Sequence, residues 1–329
     1  MRKLHLLLST LLICVVSACG GSSNNNSGFQ ASSQMTSASS MSSLSSTSSS
    51  VILSSSASSS SRISSSSSSE ALLLSYGSNS MQVGQLRLPR VQNNEPVPLV
   101  IIIHGGCWVS SIASYHFMDN FSQSITSLGY ATWNIEYRAL GTGGDWPVIF
   151  QDVSKAVDYS RSLAQNYPIN INKVAVIGHS AGGHLALWVA SRKNLNSTSL
   201  AFTDNPLVIN GVISLAGIAN VTGYNTCGTL ANDVIGVPIA PSSSNLTQRL
   251  VETSPLQMLP TGVKTILISG NADSIVPPPM GTEYSAEAVK QGDDSKHHIL
   301  QGRGHFELID STKTDWTLYQ ESLKEFFKD

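Results

Sequence analysis

The run Val174-Ala-Val-Ile-Gly-His-Ser-Ala-Gly-Gly-His-Leu-Ala-Leu-Trp188 constrains the fold of this 329-residue chain more than any other segment. Val174 to Ile177 make a buried strand, Gly178 ends it, and an apolar helix starts directly after Ser180. So abrupt a reversal forces the backbone at 180 into a sparsely allowed region, and it needs glycine at 178 and 182 where strand and helix cross closely. Ser180 is thereby pushed out of the packed layer to the helix N-terminus, where unpaired N–H groups and the dipole favour negative charge on an oxygen. The N–H of Ala181 points to where an oxyanion would form. Gly-x-Ser-x-Gly also occurs as an ordinary turn; its place between a strand and a helix makes Ser180 a candidate nucleophile.

Apolar runs and helical periods alternate around this segment. A hairpin is expected near Met81 to Leu88, then a strand over Val97–Ile103 whose unbroken apolarity indicates burial on both faces. A helix over Tyr115–Leu128 and a strand over Tyr130–Ile135 follow. After them come a long helix over Trp146–Tyr167, the elbow, and a strand over Val208–Leu215. The last elements are strands at Lys264–Ser269 and His297–Leu300, with helices over Met280–Gln291 and Thr314–Phe327. Such alternation predicts an α/β fold, a doubly wound and mainly parallel sheet with helices on both faces. The stretch 218–260, rich in Asn, Ser, Thr, Gly and Pro, is expected to add to the substrate pocket as a lid, the alternative being a surface insertion.

A serine hydroxyl needs a base and a group to orient that base, which in such a fold follow the serine in the order acid, then histidine. Asp273 stands where the strand Thr265 to Ser269 spills into a loop, and His305 stands in the glycine-rich loop Gln301-Gly-Arg-Gly-His-Phe306. They are the expected acid and base. Asp293 and Asp294 fall in a polar turn and are expected to be solvated, while Glu307 and Asp310 lie too near His305 in sequence to be first choice. His297 and His298 adjoin a strand and are expected in packing or solvent. His179 and His184, flanking the elbow, are expected in structural hydrogen bonds. His104-Gly-Gly-Cys-Trp108 directly follows the first buried strand, so the N–H groups of Gly106 and Cys107, with that of Ala181, form the expected oxyanion hole.

Arg2 and Lys3, an apolar core from Leu4 to Val16 and small residues before Cys19 read as an export signal over residues 1–19, too short for a confident spanning helix. Val16-Ser17-Ala18-Cys19-Gly20 resembles a bacterial lipobox with Cys19 as the lipidated residue, the alternative being plain cleavage near Ala18. Gly20 lacks the acidic signal associated with inner-membrane retention, so the resemblance places a lipid-anchored protein at the outer membrane of the cell envelope. Residues 20–70 are dominated by serine and read as a disordered linker, since they cannot bury enough apolar surface to offset their ordering entropy. Such tethers resemble those of bacterial enzymes that degrade plant or algal polysaccharides. Residues 71–329 suit one domain. A net charge of −2 provides no basic face for nucleic acid, so a small neutral or weakly charged substrate is expected. Of four cysteines, Cys107 and Cys227 remain beyond the signal segment; they either pair in an oxidising compartment or stand as lone buried thiols.

The residues His104-Gly-Gly-Cys-Trp108, Asn134-Ile-Glu-Tyr-Arg138, Trp146-Pro147 with Asp152-Val153, Gly178-His-Ser-Ala-Gly-Gly-His184, Asp273 with Val276-Pro277, and Gly304-His305 occur in this order across nearly the whole domain. Together they resemble the α/β-hydrolase superfamily, in the branch of hormone-sensitive-lipase-like esterases, ferulic-acid-esterase-like hydrolases and kynurenine formamidases. Many esterases of that branch carry a third glycine where Cys107 stands, and a larger residue followed by Trp is similar to the formamidase pattern. Glu136-Tyr137-Arg138 is carried over as a structural brace.

The resemblance implies a Ser180–His305–Asp273 triad acting through an acyl-enzyme on short acyl, acetyl or feruloyl esters, the ester being a small molecule and in one version linked to carbohydrate. Neither a metal nor an organic cofactor is implied, for the sequence holds no zinc-type ligand spacing and no dinucleotide glycine fingerprint. An arylformamidase of the N-formylkynurenine type is the alternative enzyme, set against an export signal. A non-catalytic anchored binding protein on the same scaffold is the alternative outside catalysis.

Overall fold

The computed structural model describes residues 71–90, 95–222, 227–228, 230–236 and 244–328, all within one unit of the chain. The expected signal segment with Cys19, and the serine-rich linker, lie outside the described residues. Eight strands form one sheet: β1 (Ala71–Ser75), β2 (Val83–Arg87), β3 (Val97–Ile103), β4 (Ala131–Ile135), β5 (Ile169–His179), β6 (Gly211–Leu215), β7 (Lys264–Gly270) and β8 (Ser295–Leu300). Their order is β1-β2-β4-β3-β5-β6-β7-β8, antiparallel at the β1/β2 and β2/β4 seams and parallel from β4 to β8. This is the α/β-hydrolase arrangement expected, with the hairpin at one edge and the elbow strand β5 in the middle.

Burial follows the apolar runs. All of β4 and β6 is buried, as is β3 except Pro98, because crossover helices cover both faces. The α-helices are α1 (Asp119–Ser127), α2 (Val148–Asp158), α3 (Ser160–Asn166), α4 (Ala181–Ser191), α5 (Leu230–Ile235), α6 (Ser244–Thr253), α7 (Pro279–Lys290) and α8 (Trp316–Phe326). Register shows which face each covers. On β6, Ser214 Oγ donates to the Gly183 carbonyl of α4 (3.3 Å), whereas a Cβ on Gly211 would strike the Phe326 ring of α8. Residues 211 and 214 point to opposite faces of a strand, so α4 and α8 sandwich the sheet. On β4, Thr132 bonds Ser122 and Thr126 of α1, while Trp133 Nε1 on the other face donates to Ala156 O of α2.

Several elements differ from the expected bounds. The strand Ala71-Leu-Leu-Leu-Ser75 pairs with β2, so the hairpin begins some ten residues before Met81. The helix expected over 115–128 starts as a 3-10 turn, Tyr115–Met118. There the Tyr115 N–H donates to Glu136 Oε2 (3.1 Å) and its carbonyl accepts from Asn134 (2.8 Å), which pins the first turn to the sheet. The long helix of 146–167 is divided between α2 and α3 at Tyr159. β6 begins at Gly211 rather than Val208, a residue 82% exposed.

Cys107 and Cys227 form a disulfide with Cα atoms 5.5 Å apart, which resolves the two alternatives left open by the sequence. It joins the expected oxyanion loop to the 218–260 stretch across a separation of 120 residues. Closing so long a loop restricts the unfolded chain, so Cys227→Ser is expected to lower stability by about 2–4 kcal/mol. In thermal unfolding without reductant this corresponds to a Tm drop of roughly 5–15 °C; an unchanged Tm would show that the link carries no stability.

Candidate active site

Ser180 stands between the end of β5 and the start of α4 with φ 57° and ψ −121°, the strained conformation expected of the elbow. Its N–H donates to Leu215 O (2.8 Å) on the neighbouring strand. The glycines leave the crossing open: a Cβ on Gly178 would meet the backbone of Gly182, and one on Gly182 the backbone of Ile103 and His104.

His305, in the loop between β8 and α8, donates from Nδ1 to Asp273 Oδ2 at 2.7 Å. Asp273, in the loop after β7, accepts through Oδ1 from the N–H groups of Ile275 and Val276, each at 2.8 Å. Burial pushes this carboxyl up, but the His305 bond and the two backbone donors outweigh it and hold the group below the usual carboxylate range. With its Nδ1 proton committed to Asp273, a neutral His305 keeps the Nε2 lone pair. Ser180 and His305 line one cavity of about 300 Å³.

The His104–Trp108 loop forms another part of the cavity wall, through Gly106 and Cys107. Neither of their N–H groups, nor that of Ala181, has a hydrogen-bond partner among the described residues, so all three are available to an anionic oxygen. The loop is braced from below. His104 Nε2 lies 2.9 Å from Glu136 Oε1, and Tyr137 stacks on the His104 ring at 4.4 Å while its hydroxyl donates to His104 O (2.9 Å). Burial raises the Glu136 carboxyl, but the His104 hydrogen bond and charge outweigh it and lower it overall. Arg138 grips Asp152 through two nitrogens at 2.8 and 2.7 Å, as a brace should.

His179 and His184 make the structural bonds expected of them, and that of His179 reaches the His305 loop. Its Nε2 donates to the His305 carbonyl (3.0 Å), tying the elbow to the histidine loop. His184 Nε2 donates to Thr253 O (2.8 Å) and its Nδ1 accepts from Trp108 (3.1 Å). Burial pushes the two histidines down to about 3 and about 4, and His305 beside His179 adds to the first. Half-buried His297, between Thr282 and Ser269 hydroxyls, is lowered to about 4 by the same cause and by His298. Groups whose folded pKa lies below the unfolded value of about 6.5 contribute stability that is complete above that pH and is lost as pH falls towards the folded values. Denaturant titrations are therefore expected to show stability declining from pH 6.5 to 4, by at most about 1.4 kcal/mol per pH unit for each histidine. Stability flat across that window would contradict the buried neutral state.

One expectation is corrected. Asp293 is buried, not solvated: it accepts from the N–H groups of Thr261 (2.6 Å) and Gly262 (2.7 Å) and caps the turn that leads into β7. Asp294, in contrast, is half exposed beside Lys264. The described part of the 218–260 stretch reaches the cavity wall through the bond from Cys227 to Cys107, and none of its own described residues lines that cavity. It also packs on α4, where the Glu252 and Thr253 carbonyls take Trp188 and His184. Sequence reasoning missed the apolar cavity walls Ile112, Phe117, Ile275 and Phe306. They stand in loops and a short turn, where no period marks which side chains face inward.

The fold is that of the α/β-hydrolase superfamily. A model of the BD-FAE family matches residues 85–287, more than half of the chain, and the chain belongs to that family. Esterase LipC of Mycobacterium tuberculosis is 22% identical over 255 residues, 75% of this chain and 62% of that protein. A kynurenine formamidase of Meyerozyma guilliermondii is 31% identical over 123 residues, 37% of this chain and 44% of that protein. The chain thus spans less than two thirds of the length of either curated relative. Among solved structures, a truncated carbohydrate esterase from gut microbiota superposes with a TM-score of 0.67 at 20% identity, over 78% of this chain and 96% of that one, a likeness of fold.

Proposed function

We propose that the protein is a carboxylic ester hydrolase acting through Ser180, His305 and Asp273 on short acyl esters. The observation that carries this is the 2.7 Å bond from His305 Nδ1 to Asp273, with Ser180 and His305 on the same cavity. His305 Nε2 takes the Ser180 proton as Oγ attacks the ester carbonyl, and the three free N–H groups of Gly106, Cys107 and Ala181 receive the developing oxyanion. The proton passes to the departing alcohol. Water, deprotonated by the same nitrogen, then cleaves the acyl-enzyme and regenerates Ser180.

The alcohol half is proposed to be a carbohydrate and the acyl half acetyl or feruloyl. The name of the gut carbohydrate esterase with this fold supports that choice, as does the serine-rich segment before residue 71. Export and a lipid anchor at Cys19 belong to the same proposal. The 31% match to a kynurenine formamidase supports a second reading, attack on an N-formyl amide by the same machinery. Initial rates on acetylated and feruloylated sugars, simple acetate esters and N-formylkynurenine separate them. The proposal expects kcat/KM on the sugar acetates or feruloyl sugars to exceed that on N-formylkynurenine by at least tenfold. The reverse order would establish the formamidase.

A further inference from the structure

Resting on the ester-hydrolase reading, we propose that a second cleft beside the catalytic cavity binds the alcohol half of the ester as a neutral, sugar-like polyol. Phe117 and Phe306 line the catalytic cavity on one side and a second cavity of about 260 Å³ on the other. Their rings meet edge to face at 6.0 Å and 87°, yet they are 44% and 53% exposed. Two large aromatic side chains left half open at an active-site rim lack the cover that core packing gives, so they offer a surface to a ligand.

The far side of the pair differs in chemistry from the near side. Ile112, Ala113 and Ile275 give the catalytic cavity apolar walls, whereas the second cleft adds Asn120, Asp310 and Ser311 to the apolar Phe121 and Ile309. Neither the Asn120 amide nor the Ser311 hydroxyl has a hydrogen-bond partner among the described residues. Asp310 accepts from the Thr312 N–H (2.9 Å) and hydroxyl (2.6 Å). Lys313 lies 3.6 Å from Asp310 and 3.7 Å from Glu307 and is engaged by both. A carboxylate beside an already paired lysine does not select an acid. An aromatic wall with a free amide and a free hydroxyl instead suits a ring with an apolar C–H face and hydroxyl edges.

Position fixes which half of the ester goes there. The cleft abuts the cavity at Phe306, the residue after His305, whose ring packs edge to face on the His305 ring at 5.0 Å. His305 is the group that hands the proton to the leaving oxygen, so the alcohol departs on this side. The acyl half is then held on the Gly106 and Cys107 side, within apolar walls.

The test compares two acetates that differ only in the alcohol: a mono-O-acetylated methyl xyloside and ethyl acetate, followed by pH-stat titration in wild type and in Asn120→Ala/Ser311→Ala. The proposal expects the double variant to lose about tenfold in kcat/KM on the xyloside, chiefly through KM, and less than twofold on ethyl acetate. A Phe117→Trp variant, which keeps an aromatic face, should retain the preference for the xyloside. Equal losses on both esters, or no loss on either, overturn the cleft assignment while leaving ester hydrolysis standing. A wild-type protein that hydrolyses neither acetate overturns the ester-hydrolase reading and the cleft with it.

Discussion

Replacing Ser180 by alanine is expected to lower kcat on p-nitrophenyl acetate by roughly 10⁶, the scale seen when the serine of such a triad is removed. Among the described residues that line the cavity, no other carries a hydroxyl. Ser180 is the hydroxyl held at the N-terminus of α4, lining the cavity beside His305. Removing one oxygen there should leave the fold intact, because the Ser180 side chain makes no capping bond to the helix. Circular dichroism and Tm should match wild type while turnover vanishes. A variant that keeps a tenth of the wild-type rate would show that another group attacks.

Changing Asp273 to asparagine is expected to cost about 10⁴ in kcat with little change in KM. The carboxylate fixes His305 with its proton on Nδ1, leaving the lone pair on Nε2. An amide keeps the size but can present its N–H₂ to Nδ1. The proton is then driven to the wrong nitrogen, and the base faces Ser180 with a hydrogen in place of a lone pair. The loops themselves should hold, since an asparagine oxygen can still accept from the Ile275 and Val276 N–H groups. Rate profiles of wild type and variant across pH distinguish this from simple distortion. Loss of the tautomer should depress the whole alkaline plateau, whereas a rate restored to wild type by raising the pH would contradict it.

How much of this was legible in the residues depended on whether the signal was local. Val174 to Trp188 carries its strand, its crossing glycines and its strained serine within fifteen residues, and the structure places them so. Asp273 and His305 could be singled out because each follows an apolar strand run into a loop, and loops beyond strand ends converge at one edge of a parallel sheet. The bond between them joins positions 32 apart in sequence. Non-local pairings were the ones that stayed open. Nothing near Cys107 or Cys227 indicates that their backbones approach to 5.5 Å. Asp293 resembles a solvated turn residue because its partners Thr261 and Gly262 are some thirty residues earlier. The bond from His179 to the His305 carbonyl spans 126 residues, and only the fold shows that the residue preceding Ser180 also anchors the His305 loop. Phe117 and Phe306 could be ranked neither as core nor as surface, since exposure in loops follows no period.

The claim on which the rest depends is that Ser180 is an activated nucleophile. It is tested most directly by exposing folded protein to a fluorophosphonate and mapping the adduct by peptide mass spectrometry. Stoichiometric labelling of Ser180 and of no other residue is expected, abolished in His305→Ala and in heat-unfolded protein. Folded wild-type protein that takes no label, or takes it at another residue, would contradict it and favour a binding protein on a hydrolase scaffold.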